Sequence, residues 1–236
     1  MSKKDEKEKM TINNYVKHYI EINCVIFNLQ DDGLKFLLVK ESDDSNLTRW
    51  RLAHDWLKKD KTIQETASSI LIKCGYNNFY LKQVKAFGFT SSASSKEDIS
   101  IGFYAFVKNI SNDLKNHIAA GTMKWVGINE IAELNYNDAE ILSFCLQELQ
   151  DIIRKTAVGF NLLPEKFTLM QIIRLYEEIL GIEIDKSNFR RKILKMGLLC
   201  YLHEKEENVA HRAARFYKLN SPQQEFLLTK ELNFQI

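Results

Sequence analysis

Between Thr168 and Asn220 the apolar residues follow an order that few small folds accommodate: helix, short connection, basic helix, strand, strand. Thr168 and Gln171 stand at capping-box spacing, so a helix starts at Thr168; Leu169, Ile172, Ile173, Tyr176 and Leu180 mark its inner face and Gly181 ends it. Asp185 caps the next helix, DKSNFRRKILKM, which stops at Gly197. LLCYLH and ARFYKL then read as two strands joined by a long polar connection. The preceding stretch KTAVGFNLLPEKFT, with Gly159 and Pro164, breaks the helical pattern and reads as a domain boundary. It divides the chain into 15–157 and 158–236, behind a charged segment, 1–14, expected to be a disordered tail.

The C-terminal order is that of a winged helix-turn-helix, and the charge distribution agrees with it. Residues 186–218 hold nine Lys or Arg against three acids; from chain totals of 33 basic and 31 acidic residues, that leaves 24 and 28 for the remainder. One end of the molecule thus attracts polyanions while the rest repels them. At about 100° per residue, Phe189, Ile193 and Met196 fall on one inward stripe. The opposite face carries Ser187, Asn188, Arg191 and Lys195, side chains suited to base edges in a major groove. Lys186, Arg190 and Lys192 lie on the flanks, where they reach phosphates and set register. Arg212 and Arg215, at the return of the hairpin and with His211 beside them, suit a wing on the adjacent backbone; Glu204, Glu206 and Glu207 at the same tip read as a solvated turn. The competing reading of this segment is a packed helical appendage with exposed charges.

Upstream the pattern is different. YIEINCVIFNL from Tyr19, a turn at Asp31-Asp32-Gly33 and LKFLLVK read as a hairpin of a half-buried sheet. Thr62 to Cys74 reads as a helix with Ile63, Ala67, Ile70, Leu71 and Cys74 on its apolar face and Gly75 as its stop. VKAFGF, ISIGFYAFV and MKWVGI are further strands around the polar loop TSSASSKED, and residues 138–156 form a second amphipathic helix on Ile141, Phe144, Cys145, Leu149 and Ile152. With 45% hydrophobic and 27% charged residues, 9 Gly and 2 Pro, collagen-like and disordered classes are excluded. The four cysteines, Cys24, Cys74, Cys145 and Cys200, lie far apart without a C-x-x-C pair, which suggests buried small hydrophobes and no zinc or disulfide framework. No apolar run approaches the roughly 18 residues of a membrane span, and MSKKDEKEKM lacks a secretory core. A cytoplasmic protein without a membrane partner is expected.

The stretch WRLAHDWLKKDKTIQETASSILIKCGY resembles the Nudix box and its lead-in, a loop, a helix and a closing Gly that normally carries glutamates for magnesium. The resemblance is one of outline. Ala53, His54 and Asp55 stand where the family has Pro-Gly-Gly, Lys61 where its first box Glu belongs, Ser69 and Ile70 for the Arg-Glu pair, and Ile72, Lys73 and Cys74 at the paired glutamates. Magnesium that activates water is held by hard carboxylate oxygens on one helix face, which these side chains cannot supply. Glu65 alone is not a metal site. The expectation is a retained pocket with no catalytic residues, no metal and no cofactor. His54 and Asp55 read either as a substitute acid and base or as a loop pair making local hydrogen bonds.

From about Tyr19 to Asn220 the chain is similar to the Nudix-related transcriptional regulators of bacteria. GFNLLPEKFTLMQIIRLYEEILGIEIDKSNFRRKIL, the hairpin end ARFYKLN and the upstream WVGINEIAEL carry that resemblance. It implies an α+β protein: a Nudix-like α/β/α sandwich with a mixed sheet that senses a ligand and dimerises, followed by a small winged helix-turn-helix domain. The family's basic helix motif falls on Lys186, Asn188, Phe189, Arg190, Arg191 and Lys192, and its wing arginine on Arg212 or Arg215. The implied partners are double-stranded operator DNA, a second copy in a homodimer, and a small effector, ADP-ribose in one branch of the family and arabinose or related sugars in another. With the box glutamates lost, a sugar or nucleotide sugar is expected here, against a pocket that includes His54, Asp55, Trp56 and Lys73. Two other classes of reading are an active Nudix hydrolase of ADP-ribose-like nucleotides with an accessory basic domain, and an adaptor for a protein partner.

Overall fold

β1 (Ile20–Gln30) is apolar on both faces, and that decides its place in the molecule. Ile22, Cys24 and Ile26 point to one side and Val25 and Phe27 to the other, all fully buried. A strand buried on both faces belongs in the middle of a covered sheet. The computed structural model, which describes residues 19–31, 33–42, 48–90, 97–108, 112–128, 130, 134–206 and 213–220, has it there. β2 (Gly33–Ser42), β3 (Thr48–Trp56), β4 (Tyr80–Thr90), β5 (Glu97–Phe106) and β6 (Met123–Gly127) complete a six-stranded sheet in the order β4-β5-β1-β3-β2-β6. β1 and β5 run parallel, in register from Ile20↔Ile99 to Phe27↔Phe106, and the other pairings of this sheet are antiparallel.

Helices cover both faces. α1 (Ile63–Lys73) starts at a complete capping box: Thr62 Oγ1 accepts from Glu65 N at 3.1 Å, and Glu65 Oε2 accepts from Thr62 N at 2.8 Å. Its Ala67, Ile70 and Leu71 pack with Ile22, Cys24, Ile26 and Ala53. The short α2 (Asn112–Ala119) adds Leu114 to that side. On the opposite face α3 (Tyr136–Ile153) buries Ile141, Leu142, Cys145, Leu149 and Ile153 against Val25, Phe27, Tyr104 and Phe106. The result is the expected α/β/α sandwich on a mixed sheet.

Beyond α3 a 3-10 helix, Ala157–Leu162, leads into β7 (Phe167–Thr168), α4 (Leu169–Leu180), α5 (Lys186–Lys195), β8 (Leu199–Lys205) and β9 (Arg215–Leu219), the three strands pairing in the order β7-β9-β8. This is a winged helix-turn-helix. Thr168 and Gln171 close the predicted capping box, and Gly181 ends α4 in the left-handed region at φ +64°. One apolar cluster runs from Phe27 and Phe36 in the sheet through Leu149, Phe160 and Phe167 to Ile172, Phe189 and Ile193.

Three differences from the sequence reading have physical causes. The lead-in before the box is not a loop but strand β3, with Leu52 and Ala53 buried on opposite faces of the sheet. His54 and Asp55 are therefore strand residues. α2 escaped notice because Leu114 is the one fully buried residue in a segment too polar for a clear apolar stripe. The stretch KTAVGFNLLPEKFT is not an open connection: Ala157, Val158, Phe160, Leu162 and Leu163 are buried in the shared cluster. The expected tail 1–14, the centre of the TSSASSKED loop (91–96) and the wing tip with Glu207, His211 and Arg212 lie outside the described residues.

At the β1–β2 turn Gly33 has φ +126° and lies against the Glu178 side chain of α4, with 2.9 Å from Oε2 to the position a Cβ would take. A side chain there adds left-handed strain of about 1–2 kcal/mol. Gly33→Ala is expected to lower the chemical denaturation midpoint correspondingly. Gly88→Ala, whose Cβ would meet open space, leaves the midpoint nearly unmoved.

Candidate functional site

α5 is held at its start by Asp185, whose carboxylate accepts from Ser187 N at 3.0 Å and Asn188 N at 3.1 Å. Phe189 and Ile193 anchor it: both are buried, and the Phe189 ring meets Tyr176 of α4 edge to face at 5.4 Å. The predicted inward stripe is thus the observed one, with Met196 partly buried at its end. Lys186, Ser187, Arg190, Arg191 and Lys195 are exposed, and Asn188 and Lys192 are partly buried. Arg191 Nη2 donates to Asn188 Oδ1 at 3.0 Å, while Arg190 Nη2 lies 3.0 Å from Met170 Sδ. Among the described residues, Lys186, Arg190, Arg191 and Lys195 form no ion pair with a carboxylate. The outer face of the helix keeps its positive field, interrupted by the half-exposed Leu194.

The wing explains acids that read only as a solvated turn in the sequence. Glu204 is paired with Lys166 at 2.6 Å. Glu206 closes the hairpin: its N donates to Ala214 O at 2.9 Å and its carboxylate accepts from Ala214 N at 3.2 Å. Arg215 lies with its guanidinium 6.0 Å from the centre of the exposed Tyr201 ring. Arg212 belongs to the undescribed tip.

In the sandwich, the four residues expected in one pocket separate. β3 pairs with β1 so that Asp55 stands opposite Ile22 and His54 opposite Asn23. Successive strand residues face opposite ways, so Asp55 lies on the α1 side, where Lys73 Nζ meets its Oδ2 at 2.5 Å. Slight burial raises the Asp55 carboxyl, but the bond and charge of Lys73 outweigh that and hold it below its ordinary value. His54 lies on the other side, with Nδ1 2.8 Å from Leu52 O and Nε2 3.3 Å from Glu41. Trp56 is half exposed and packs edge to face on Tyr19 at 6.2 Å.

The α1 surface does not fit a magnesium centre. The Glu65 carboxylate is engaged by both the backbone and hydroxyl of Thr62. Ser69 Oγ donates to Glu65 O and accepts from Lys61 Nζ, Ile72 is exposed, and Lys73 is paired. No group of three His, Cys, Asp or Glu side chains among the described residues is disposed to hold a metal ion.

Sequence reasoning missed a charged cluster across β1, β3 and β2 under the start of α3. Arg51 Nε and Nη2 reach the two oxygens of Asp138 at 2.9 and 3.1 Å, and Asp138 Oδ2 also accepts from Leu52 N at 3.1 Å. Arg51 Nη2 further reaches Glu21 Oε2 at 3.1 Å, and Nη1 reaches Glu41 at 3.4 Å. Asp138 is fully buried. Burial pushes the Glu21 carboxyl up, but Arg51, with Asn23 and His54, pulls it below its ordinary value. The available signal was an arginine set between Trp50 and Leu52. Such a residue inside a strand needs a carboxylate partner.

Together these elements define a Nudix-fold sandwich joined to a winged helix-turn-helix. Residues 159–219 match the family of NrtR DNA-binding winged helix domains. Over 191 residues, 79% of this chain and 76% of the relative, the chain is 24% identical to the ADPR responsive transcriptional repressor NtrR of Acinetobacter baylyi. The fold is similar to that of Shewanella oneidensis NrtR solved with a 27mer DNA, with a TM-score of 0.76 and 21% identity over 90% of this chain and 99% of that one. It is also similar to a MutT/nudix family protein from Enterococcus faecalis, with a TM-score of 0.66 and 16% identity over 93% and 99% of the two chains. By these likenesses the chain is similar to Nudix-related transcriptional regulators, and its residues 159–219 match the NrtR type of winged helix.

Removing one partner of a buried ion pair strands the other, at a cost of about 3 kcal/mol or more. Arg51→Met is expected to destabilise by that amount in urea denaturation. Because the Glu21 carboxyl is depressed in the folded state, its contribution is complete above the ordinary carboxylate range and is lost as pH falls through the folded value. The wild type therefore loses stability on acidification through that range, and Arg51→Met loses less.

Proposed function

We propose that this protein is a ligand-responsive transcriptional regulator that binds operator DNA through α5 and its wing, with the Nudix-fold half as a non-catalytic sensor. The observation that carries the reading is the outer face of α5, where Lys186, Arg190, Arg191 and Lys195, without a carboxylate partner among the described residues, stand opposite a buried Phe189–Ile193 anchor. Ser187, Asn188, Arg191 and Lys195 read base edges, while Lys186, Arg190, Lys192, Arg212 and Arg215 contact phosphates. The division of labour is 15–157 for sensing and dimerisation and 158–236 for DNA. A homodimer presents two such helices to a palindromic operator. The relative named as an ADPR responsive repressor supports repression and a nucleotide-sugar effector. The cell interior, where operator DNA is, is the site of action.

Arg191→Ala with Lys195→Ala is expected to abolish specific binding to DNA from the protein's own upstream region, measured by fluorescence anisotropy. Each lost base-edge contact is worth about 1–3 kcal/mol. Lys186→Ala instead weakens binding to all sequences and lowers the salt slope by about 0.9. Unaltered operator affinity in the Arg191/Lys195 double variant removes the groove assignment.

The sensor half gives no turnover in this reading, since the box glutamates are lost and the Glu65 carboxylate caps α1. Incubation with magnesium and ADP-ribose is expected to yield no AMP above a protein-free blank. Turnover that disappears in Glu65→Gln identifies a hydrolase instead.

A further inference from the structure

Leu194 is 46% exposed and stands on the side of α5 away from the core. At about 100° per residue it lies about 140° from Phe189 and about 100° from Ile193, the inward anchors, and within about 60° of Ser187, Arg190 and Arg191. Those three are exposed, as is Lys195 beside it. Leu194 belongs to neither apolar cluster of the molecule. Its carbonyl accepts from Gly197 N at 3.2 Å, a service to the helix end that does not depend on the side chain.

An isolated leucine on a protein surface is ordinary, but one set in the middle of a cationic face has a cost. A helical side chain leans over the turn N-terminal to it, here the turn that carries Arg190 and Arg191. Those guanidiniums are engaged to either side, Arg190 Nη2 at Met170 Sδ and Arg191 Nη2 at Asn188 Oδ1, each at 3.0 Å. The leucine between them keeps nearly half its surface open. A helix that only had to hold a polyanion would gain from Lys or Arg at this position, since each added phosphate contact strengthens binding to every duplex. Leucine forgoes that gain, and what it offers instead depends on the sequence beneath it.

We propose that Leu194 is a specificity-determining residue that packs on the 5-methyl group of a thymine in the major groove. Among the groups that base pairs present there, the thymine methyl is the apolar one; the others donate or accept hydrogen bonds. Cations and hydroxyls on the same face cannot select it, whereas an aliphatic side chain placed among them removes both its own surface and the methyl from water. The flanking cations bring the duplex to the helix, and Leu194 favours A·T over G·C at the position it covers. The inference rests on the DNA-binding reading above and adds to it the identity of one base.

The test uses the full-length protein and a duplex that it enriches from a random-sequence pool. Each thymine of that duplex is replaced in turn by deoxyuridine, which lacks only the methyl, and affinity is read by fluorescence anisotropy. Replacement at one defined position is expected to weaken wild-type binding about fourfold per site, the worth of burying one methyl. In Leu194→Ser the same replacement is expected to cost nothing further, a coupling that a merely structural role of the leucine does not produce. Leu194→Gln, which keeps a strong helix former in place, serves if the serine variant does not fold. Wild-type binding indifferent to every deoxyuridine, or equally sensitive in the folded variants, overturns the thymine contact while specific binding, and with it the regulator reading, stands. A variant that changes the oligomeric state in light scattering and leaves DNA affinity unmoved assigns Leu194 to a contact between copies and overturns it too. A pool from which no sequence is enriched removes the regulator reading and this inference together.

Discussion

The interaction on which this architecture depends is the continuous apolar cluster that joins the sheet to the winged helix. Phe27 and Phe36 of the sheet, Leu149 and Ile153 of α3, Phe160 and Phe167 of the connection, and Ile172, Tyr176, Phe189 and Ile193 of the helix pair are one set of mutually buried side chains. Packing of this density transmits strain instead of absorbing it. The basic helix is seated on α4, and α4 in turn packs on the sandwich. Gln150 of α3 donating to Ile179 O at 2.9 Å adds a directional bond to the same contact. A change in how the sheet edge packs has a direct route to the helix that carries the cations.

Much of this was legible in the residues. The C-terminal half is read well because its signals are local and mutually consistent: Thr168 with Gln171, Gly181, Asp185 and Gly197 each mark a boundary that the structure keeps. The stripe of Phe189 and Ile193 was legible for the same reason, since helical spacing on a short amphipathic segment has one solution. The sandwich was legible through the family resemblance, with strands and two amphipathic helices marked by apolar periodicity.

What was not legible depends on contacts between distant segments. β3 surrounds its two buried residues, Leu52 and Ala53, with Arg49, Arg51, His54 and Asp55, so its sequence lacks the alternation that marks a strand. Asp138 looked like the polar start of a helix, and only its position against Arg51, 87 residues earlier, makes it an anchor. The acids of the wing acquired partners, Lys166 and the backbone of Ala214, that no spacing rule announces. The box helix shows the converse: the loss of its glutamates was plain in the sequence, while the reuse of Glu65 as a cap needed coordinates.

The parallel pairing of β1 with β5 has a consequence for how the chain acquires its shape. Ile20 meets Ile99 and Phe27 meets Phe106, so the parallel pair of the sheet closes a loop of nearly eighty residues before it yields any cohesion. Such distant pairings form slowly, whereas helix-rich segments with near neighbours form fast. On a ribosome, where β1 emerges early, it can pair with β2 and β3, but its other edge stays open until β5 is synthesised and its Val25–Phe27 face until α3 follows. Nascent chains of this protein are then most exposed to chaperone capture or aggregation during that interval, and the C-terminal module, made last, folds onto a platform already assembled.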